Sequence, residues 1–487
     1  MTVPPVAGIE DASGAEAVRA EQVAASLRAL FQRYGFTPVV PPVIESAVPF
    51  LDRSGEDIRR HMFIFTDPSG RELCLRPELT IPTVGLYGRR PADAPTELRA
   101  YYVGPTFRYG APVDGGARQL THAGVELLGA TDTELADAEV LALARASLVE
   151  HGVTPGRLVV SDIGFLQAAV ETDLLPERSR VPLRRAAGDP DALAALLDQA
   201  AAGPAAAPEG SELDDLVAQL PPTLRAELLD RIIGGLEPEA IGVRTAEEIA
   251  ARLVSRSTAR PVEPVPAEVE GHLRALLALD QPLDAAVAVL ATVAEDLASD
   301  GLRALVASWR RRIEMISAYG IDPATVALRP GLRRGIDYYT SFIFEIEATD
   351  PGADALCAGG RYDELVGTLT GRGRVPGVGF ALAVEDLVRR APAPEAAVPT
   401  VVAVVAPAVD GVSTTRCVAV ASALRAEGLA CRLGGDDPEA AARAEGVPVL
   451  VVVGADDGLT VVRLAGGDER PAELGTVAAV VREALDG

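Results

Sequence analysis

The residues that could do chemistry are concentrated in four separated segments. They are Leu75-Arg76-Pro77-Glu78-Leu79-Thr80; residues 104–129, with Phe107-Arg108 and Gly124-Val125-Glu126; Arg334-Gly335-Ile336-Asp337-Tyr338-Tyr339; and Ala358-Gly359-Gly360-Arg361-Tyr362-Asp363. Between them they supply carboxylates, guanidinium groups and hydroxyls. A carboxylate can hold an ammonium group, a guanidinium can hold a carboxylate, and hydroxyls can serve ring nitrogens. Each residue also has a structural reading. Glu78 and Arg108 could pair with each other, and the tyrosines could be half-buried core residues.

Metal chemistry is not indicated. The four cysteines (Cys74, Cys357, Cys417, Cys431) form no CxxC pair, and the four histidines (His61, His122, His151, His272) have no ligand spacing. The scattered cysteines fit small buried hydrophobes in a reducing cytosol. The N-terminus lacks the basic and apolar regions of a secretory signal, and no long apolar run reads as a membrane span, so a cytoplasmic protein without a membrane partner is expected. The net charge is −25, and arginine carries all 45 positive charges because lysine is absent. That balance argues against a nucleic-acid partner, since phosphate binding favours a concentrated basic surface.

The elements that must position these residues follow from periodicity. Residues 15–35 carry apolar positions at helical spacing, and 36–40 read as a strand broken by Pro41 and Pro42. Further strands are expected at 61–66, 72–75, 99–107 and 122–128, with an amphipathic helix at 136–151. Residues 175–325, rich in Ala, Leu, Asp and Glu, predict short helices without convincing strands, with a flexible tract near 200–212. Strand patterns return at 339–347 and continue through Ala381. The expected organisation is an α+β core at 1–174 and 326–390, a helical insertion at 175–325, a linker at 391–399 and a small α/β domain at 400–487. In that last domain, strands are expected at 400–405, 449–453 and 459–464, and a helix at 415–427.

In order and spacing, the four segments resemble the core of class II histidyl-tRNA synthetases. The resemblance implies an antiparallel sheet with helices, and it implies a pocket for free histidine. Glu78 and Thr80 would face the ammonium; Arg108, with Arg334 nearby, would face the carboxylate. Glu126, Tyr339 and Tyr362 would surround the imidazole. His122 stands where the synthetases carry Gln; a neutral imidazole could accept from the ammonium, whereas a protonated one would repel it. A purely structural role for His122 stays open.

The departures concern ATP. The glutamate that reads adenine in the synthetases corresponds to Gly110, and an arginine that grips the phosphates corresponds to Gly116. The final Gly-Leu-Glu-Arg corresponds to Ala383-Val384-Glu385-Asp386, so a cation becomes an anion. Adenylation depends on prepositioned cations, and one such contact contributes about 3–4 kcal/mol in comparable sites. A dismantled ATP site, a chain without catalytic activity of its own, and no cofactor are therefore expected.

Residues 54–67 through Pro77, residues 124–129 with Ala136-Asp137-Ala138-Glu139, and the inserted Arg244-Thr245-Ala246-Glu247-Glu248-Ile249-Ala250 look like ATP phosphoribosyltransferase regulatory subunits. That branch implies a non-catalytic partner of a short catalytic chain, a hetero-octamer built on class II homodimers, and feedback inhibition by L-histidine. The motif around Pro41 and Pro42 would contribute to the homodimer. Residues 400–487 resemble the anticodon-binding domain of the synthetases, but hold seven Arg against thirteen Asp and Glu, a balance poorly suited to RNA. A structural or docking role is expected for them. The competing readings are a divergent histidyl-tRNA synthetase and an amino-acid-binding or amino-acid-modifying paralogue of another pathway.

Overall fold

The structure, a computed structural model, describes residues 8–9, 11–53, 59, 61–91, 93–109, 118–201, 264–332, 338–350, 355–371, 373–392, 403–407, 414–434, 437–444, 446–454 and 458–486. The chain forms two compact units, Met1–Pro392 and Ala393–Gly487. Among the expectations, Arg334, Gly110, Gly116, most of 54–60, the tract at 202–212, the inserted 244–250 and the linker from 393 onward lie outside the described residues.

The first unit opens with α1 (Gly14–Arg33), whose buried Val23, Leu27, Leu30 and Phe31 recur at helical spacing. Gly35, at a φ of 78°, turns the chain into the sheet. Next come β1 (Thr37–Pro38), β2 (Ile44–Ser46), α2 (Val48–Arg53), β3 (Phe63–Thr66), β4 (Glu72–Leu75), α3 (Thr80–Gly88), β5 (Leu98–Phe107), β6 (Gln119–Leu128) and α4 (Thr133–Val149). The strand expected at 36–40 is reduced to two residues, because Pro41 and Pro42 lack the N–H groups to extend the ladder.

The second stretch holds β7 (Leu158–Asp162), α5 (Gly164–Val170), α6 (Glu177–Ala186), α7 (Pro190–Ala201), α8 (Ala267–Leu277), β8 (Gln281–Pro282), α9 (Leu283–Asp296), α10 (Asp300–Ala318) and β9 (Val326–Leu328). The two residues of β8 are a strand where only helices were expected; they extend the sheet by pairing with β9. The unit closes with β10 (Phe342–Ile346), β11 (Cys357–Arg361), α11 (Asp363–Thr370), β12 (Gly377–Ala383) and α12 (Val384–Arg390).

Nine strands form one sheet in the order β1-β5-β6-β12-β11-β10-β7-β9-β8. Its pairings are antiparallel except β1 with β5 and β7 with β9. This is the α+β architecture expected from the sequence. Strand alternation then sorts the side chains. Ala123, Val125 and Leu127 of β6, with Val378, Phe380 and Leu382 of β12, join the main core with Leu141 of α4 and Trp309 of α10. The alternate residues, His122, Gly124 and Glu126, therefore share the opposite face. A separate three-stranded sheet, β2-β4-β3, lies in the same unit.

The second unit contains β13 (Ala403–Pro407), α13 (Thr414–Ala426), β14 (Cys431–Leu433), α14 (Pro438–Ala444), β15 (Val449–Val453), β16 (Leu459–Arg463), β17 (Asp468–Ala472) and α15 (Val477–Asp486). Its five strands run in the order β14-β13-β15-β16-β17, parallel on the β14 side and antiparallel on the β17 side. Val405, Val449, Val451 and Val461 pack with Leu424 and Val481 into a core of its own.

Candidate functional site

The site is built around Glu126, near the end of β6 and only 1% exposed. β6 pairs with β5 over ten residues and with β12 on its other side, so Glu126 lies between Ala100 and Gly379. Gly379 is required there: a Cβ on it would come within 1.8 Å of Glu126 Oε2. Gly377, two residues earlier on the same face, leaves room for the Tyr362 ring, which a Cβ would meet at 2.7 Å. The glycines of β12 thus open the volume into which the carboxylate and the phenol project.

Three hydroxyls converge on this carboxylate. Thr80 Oγ1 donates to Oε1 at 2.7 Å, Tyr102 OH donates to the same oxygen at 3.0 Å, and Tyr362 OH donates to Oε2. The donors come from α3, β5 and the residue after β11. Burial pushes Glu126 up to about 8, against the hydrogen bonds from Tyr362 and Thr80 that favour its charge. Nearby Glu78 adds to the upward shift.

Glu78 stands just before α3, with Leu79 between them as the residue that caps the helix. Its carboxylate accepts the backbone N–H groups of Thr80 at 2.5 Å and Ile81 at 3.0 Å, satisfying donors that a helix leaves free at its N-terminus. Burial raises it to about 7, even with those bonds and the Arg108 charge working in the other direction. Two buried carboxylates, one surrounded by hydroxyls and one by amides, make an acidic cluster whose chemistry suits an N–H-rich cationic group.

Of the remaining expected residues, Arg334 lies outside the described residues, and Arg108, His122 and Tyr339 lie near this cluster. Arg108 is exposed just beyond β5. His122 lies on the Glu126 face of β6, half-buried, across from Gly104 and Ala383. Burial, and then the charges of Arg108 and Arg76, hold it down to about 3, so its imidazole is neutral. Tyr339 is half-buried with its ring 5.2 Å from that of Tyr338, itself 5.9 Å from the Tyr362 ring. Asp386 sits in the first turn of α12, ion-paired with Arg389, while neighbouring Glu385 accepts the Thr121 N–H at 2.8 Å.

Sequence reasoning gave no role to Tyr102, Tyr338, Gly377 and Gly379. The period-two glycines in Gly377-Val378-Gly379 were the available signal, since glycine inside a strand marks close approach. It also missed a buried ionic cluster behind the site. Asp137 of α4, 0% exposed, accepts from Arg312 at 2.8 Å and 3.0 Å and from Arg361 at 2.6 Å and 2.9 Å. Arg361 also donates to Asp363 at 2.9 Å. Arg361 and Tyr362 are consecutive yet serve opposite faces, one the ionic cluster and the other the pocket.

Comparison with known proteins agrees with this architecture. The family model for histidyl-tRNA synthetase matches residues 8–227 and 238–387. Among solved structures, one described as an ATP phosphoribosyltransferase regulatory subunit/histidyl-tRNA synthetase from Bacillus halodurans C superimposes with a TM-score of 0.66 at 18% identity, covering 93% of this chain and 99% of its own. Histidyl-tRNA synthetase from Nostoc sp. PCC 7120 gives 0.64 at 17% identity, covering 99% of this chain and 100% of its own. Two curated relatives are nearer in sequence, both ATP phosphoribosyltransferase regulatory subunits. That of Mesorhizobium japonicum is 34% identical over 74% of this chain and 95% of its own length, and that of Brucella anthropi 32% identical over the same shares. With a histidyl-tRNA synthetase fold and this degree of identity, the chain belongs to the family of ATP phosphoribosyltransferase regulatory subunits.

Proposed function

We propose that this chain activates a separate, short ATP phosphoribosyltransferase catalytic chain and makes the complex sensitive to L-histidine, without catalysing a reaction itself. The observation that carries the reading is the 34% identity over 95% of a relative so named. In this reading Glu78 and Thr80 take the ammonium of histidine, and Arg108 with Arg334 takes its carboxylate. Glu126, Tyr339 and Tyr362 enclose the imidazole. The neutral state of His122 supports its acceptance beside a cationic ligand. Feedback requires that histidine favour one state of the complex, because only a difference in affinity shifts a population.

The absence of catalysis is supported by Asp386, an anion where adenylating relatives use a cation, and by the glycines at positions 110 and 116. Homodimerisation through the class II core is supported by the three-stranded sheet. Ile44, Phe63, Phe65, Leu73 and Leu75 share one of its faces by register, with Ile44 and Phe65 exposed. Such an apolar face fits an interface between copies. Arg76 donates to the carbonyls of Pro41 and Pro42 and fixes the approach to β2. Two such dimers with four catalytic chains would make the hetero-octamer, in the cytoplasm; no helix among the described residues is long and apolar enough to cross a membrane. The acidic second unit serves a structural or docking role.

The test mixes the purified chain with a short catalytic chain and measures phosphoribosyl transfer to ATP, with and without L-histidine. Activation on mixing and inhibition by histidine are expected. No activation, together with ATP-dependent pyrophosphate exchange by the chain alone, would return it to the synthetases.

A further inference from the structure

On the other side of α3 from Glu126 lies a cavity of about 260 Å³, bounded by β2, α2, α3 and α11. Its walls include Phe50, Ile81 and Leu369, and two charged residues, Glu45 and Arg89. Alternation along β2 leaves Ile44 exposed and turns Glu45 inward, beside the fully buried Cys74 of β4. Glu45 Oε1 is buried and has no hydrogen-bond partner. A buried carboxylate oxygen in that condition is costly unless a donor reaches it.

Arg89 follows the last turn of α3, and its guanidinium folds back over Gly85, where an added Cβ would come within 3.1 Å of Nη1. The Arg89 charge reaches Glu45 and opposes the upward shift that burial imposes on the carboxyl, yet no ion pair joins the two among the described residues. An anion and a cation thus face one small cavity with apolar walls between them. The carboxylate disfavours a phosphate and the guanidinium disfavours a polyamine. The size is below that of pockets for large ligands.

We propose that this cavity is a second small-molecule site, distinct from the Glu126 pocket, that takes a free amino acid or a zwitterion of similar size. Glu45 Oε1 accepts from the ammonium group, Arg89 donates to the carboxylate, and Phe50, Ile81 and Leu369 enclose the side chain. The inference does not depend on the regulatory reading, because it concerns the isolated chain.

The test uses the full chain carrying Glu126→Gln, which is expected to weaken the first site by roughly 100-fold. The common L-amino acids are screened by thermal shift at millimolar concentration, and those that stabilise are titrated calorimetrically. At least one is expected to bind with one-to-one stoichiometry. Glu45→Gln and Arg89→Met should each weaken it by at least about tenfold, and the matching amine and carboxylic acid, each lacking one charge, should lose affinity similarly. Glu45→Gln is nearly isosteric, and an unchanged urea midpoint will separate lost binding from lost folding. No binder in the panel would overturn the proposal. So would binding seen only when Glu126 is intact, or affinity unaffected by Glu45→Gln.

Discussion

Two buried carboxylates in the first unit have opposite surroundings. Asp137 is met by two guanidinium groups: Arg312 donates two hydrogen bonds to one of its oxygens and Arg361 two to the other. Glu126, equally buried, receives three hydroxyls and no cation among its described bonding partners. The first cluster is electrically complete and joins α10 of the helical region to α4 and β11. The second has no cation among its described partners and, on the reading proposed above, would receive one from a ligand. On that reading, the acid whose counter-charge is inside the protein serves the architecture, and the one without it serves a ligand.

The comparison can be broken most forcefully at Asp137. Replacing it with Ala leaves Arg312 and Arg361 buried against each other, and a loss of about 3–5 kcal/mol is expected in urea unfolding. A loss no larger than that at a surface ion pair would show that the cluster is not structural. Glu126→Gln should do the reverse: fold stability held or increased, but histidine affinity reduced by roughly 100-fold in calorimetry, since the imidazole loses the one buried carboxylate that the proposed reading places against it.

The third test is pH. Glu126 and Glu78 are raised to about 8 and about 7 in the fold, above an unfolded value of about 4.3. Below that unfolded value their contribution to stability is fully present; it is lost as pH rises through the folded values. The ligand-free chain should therefore show a Tm that falls between about pH 5 and pH 8, and Glu126→Gln should flatten the profile. Binding of a cationic group should release protons, visible as a dependence of the calorimetric heat on the buffer. The smallest effect belongs to Arg374, whose side chain is 69% exposed while it bonds to Asp363 at the rim of the ionic cluster. Arg374→Ala should change stability by less than about 1 kcal/mol.

Much of the fold was legible because its strands alternate cleanly and its helices keep their period. β4 and β15 coincide with the expected spans, and β5 and β6 are only lengthened, because each supplies the other with a full ladder. The short β8 was not legible, and the strand read at 36–40 shrank to β1, since two-residue strands exist only through the partners they meet. At the site, Glu78, Thr80, Glu126 and Tyr362 come together from segments far apart in the chain. Tyr102 escaped notice because a tyrosine in an apolar strand reads as core until the opposite Gly124 is known to make room for its hydroxyl. The Asp137 cluster escaped because both arginines belong to segments whose meeting is a property of the tertiary fold alone.

The glycines of β12 have a consequence for how such a pocket can change over time. Its volume is set by backbone rather than by side chains that could be trimmed or enlarged in small steps. At Gly379 even one added carbon would occupy the position of a carboxylate oxygen. Gradual retuning toward a larger or smaller ligand is closed from that side. Variation must enter through the walls donated by α3 and β5, so a lineage could swap the pocket's rim while its floor stayed fixed.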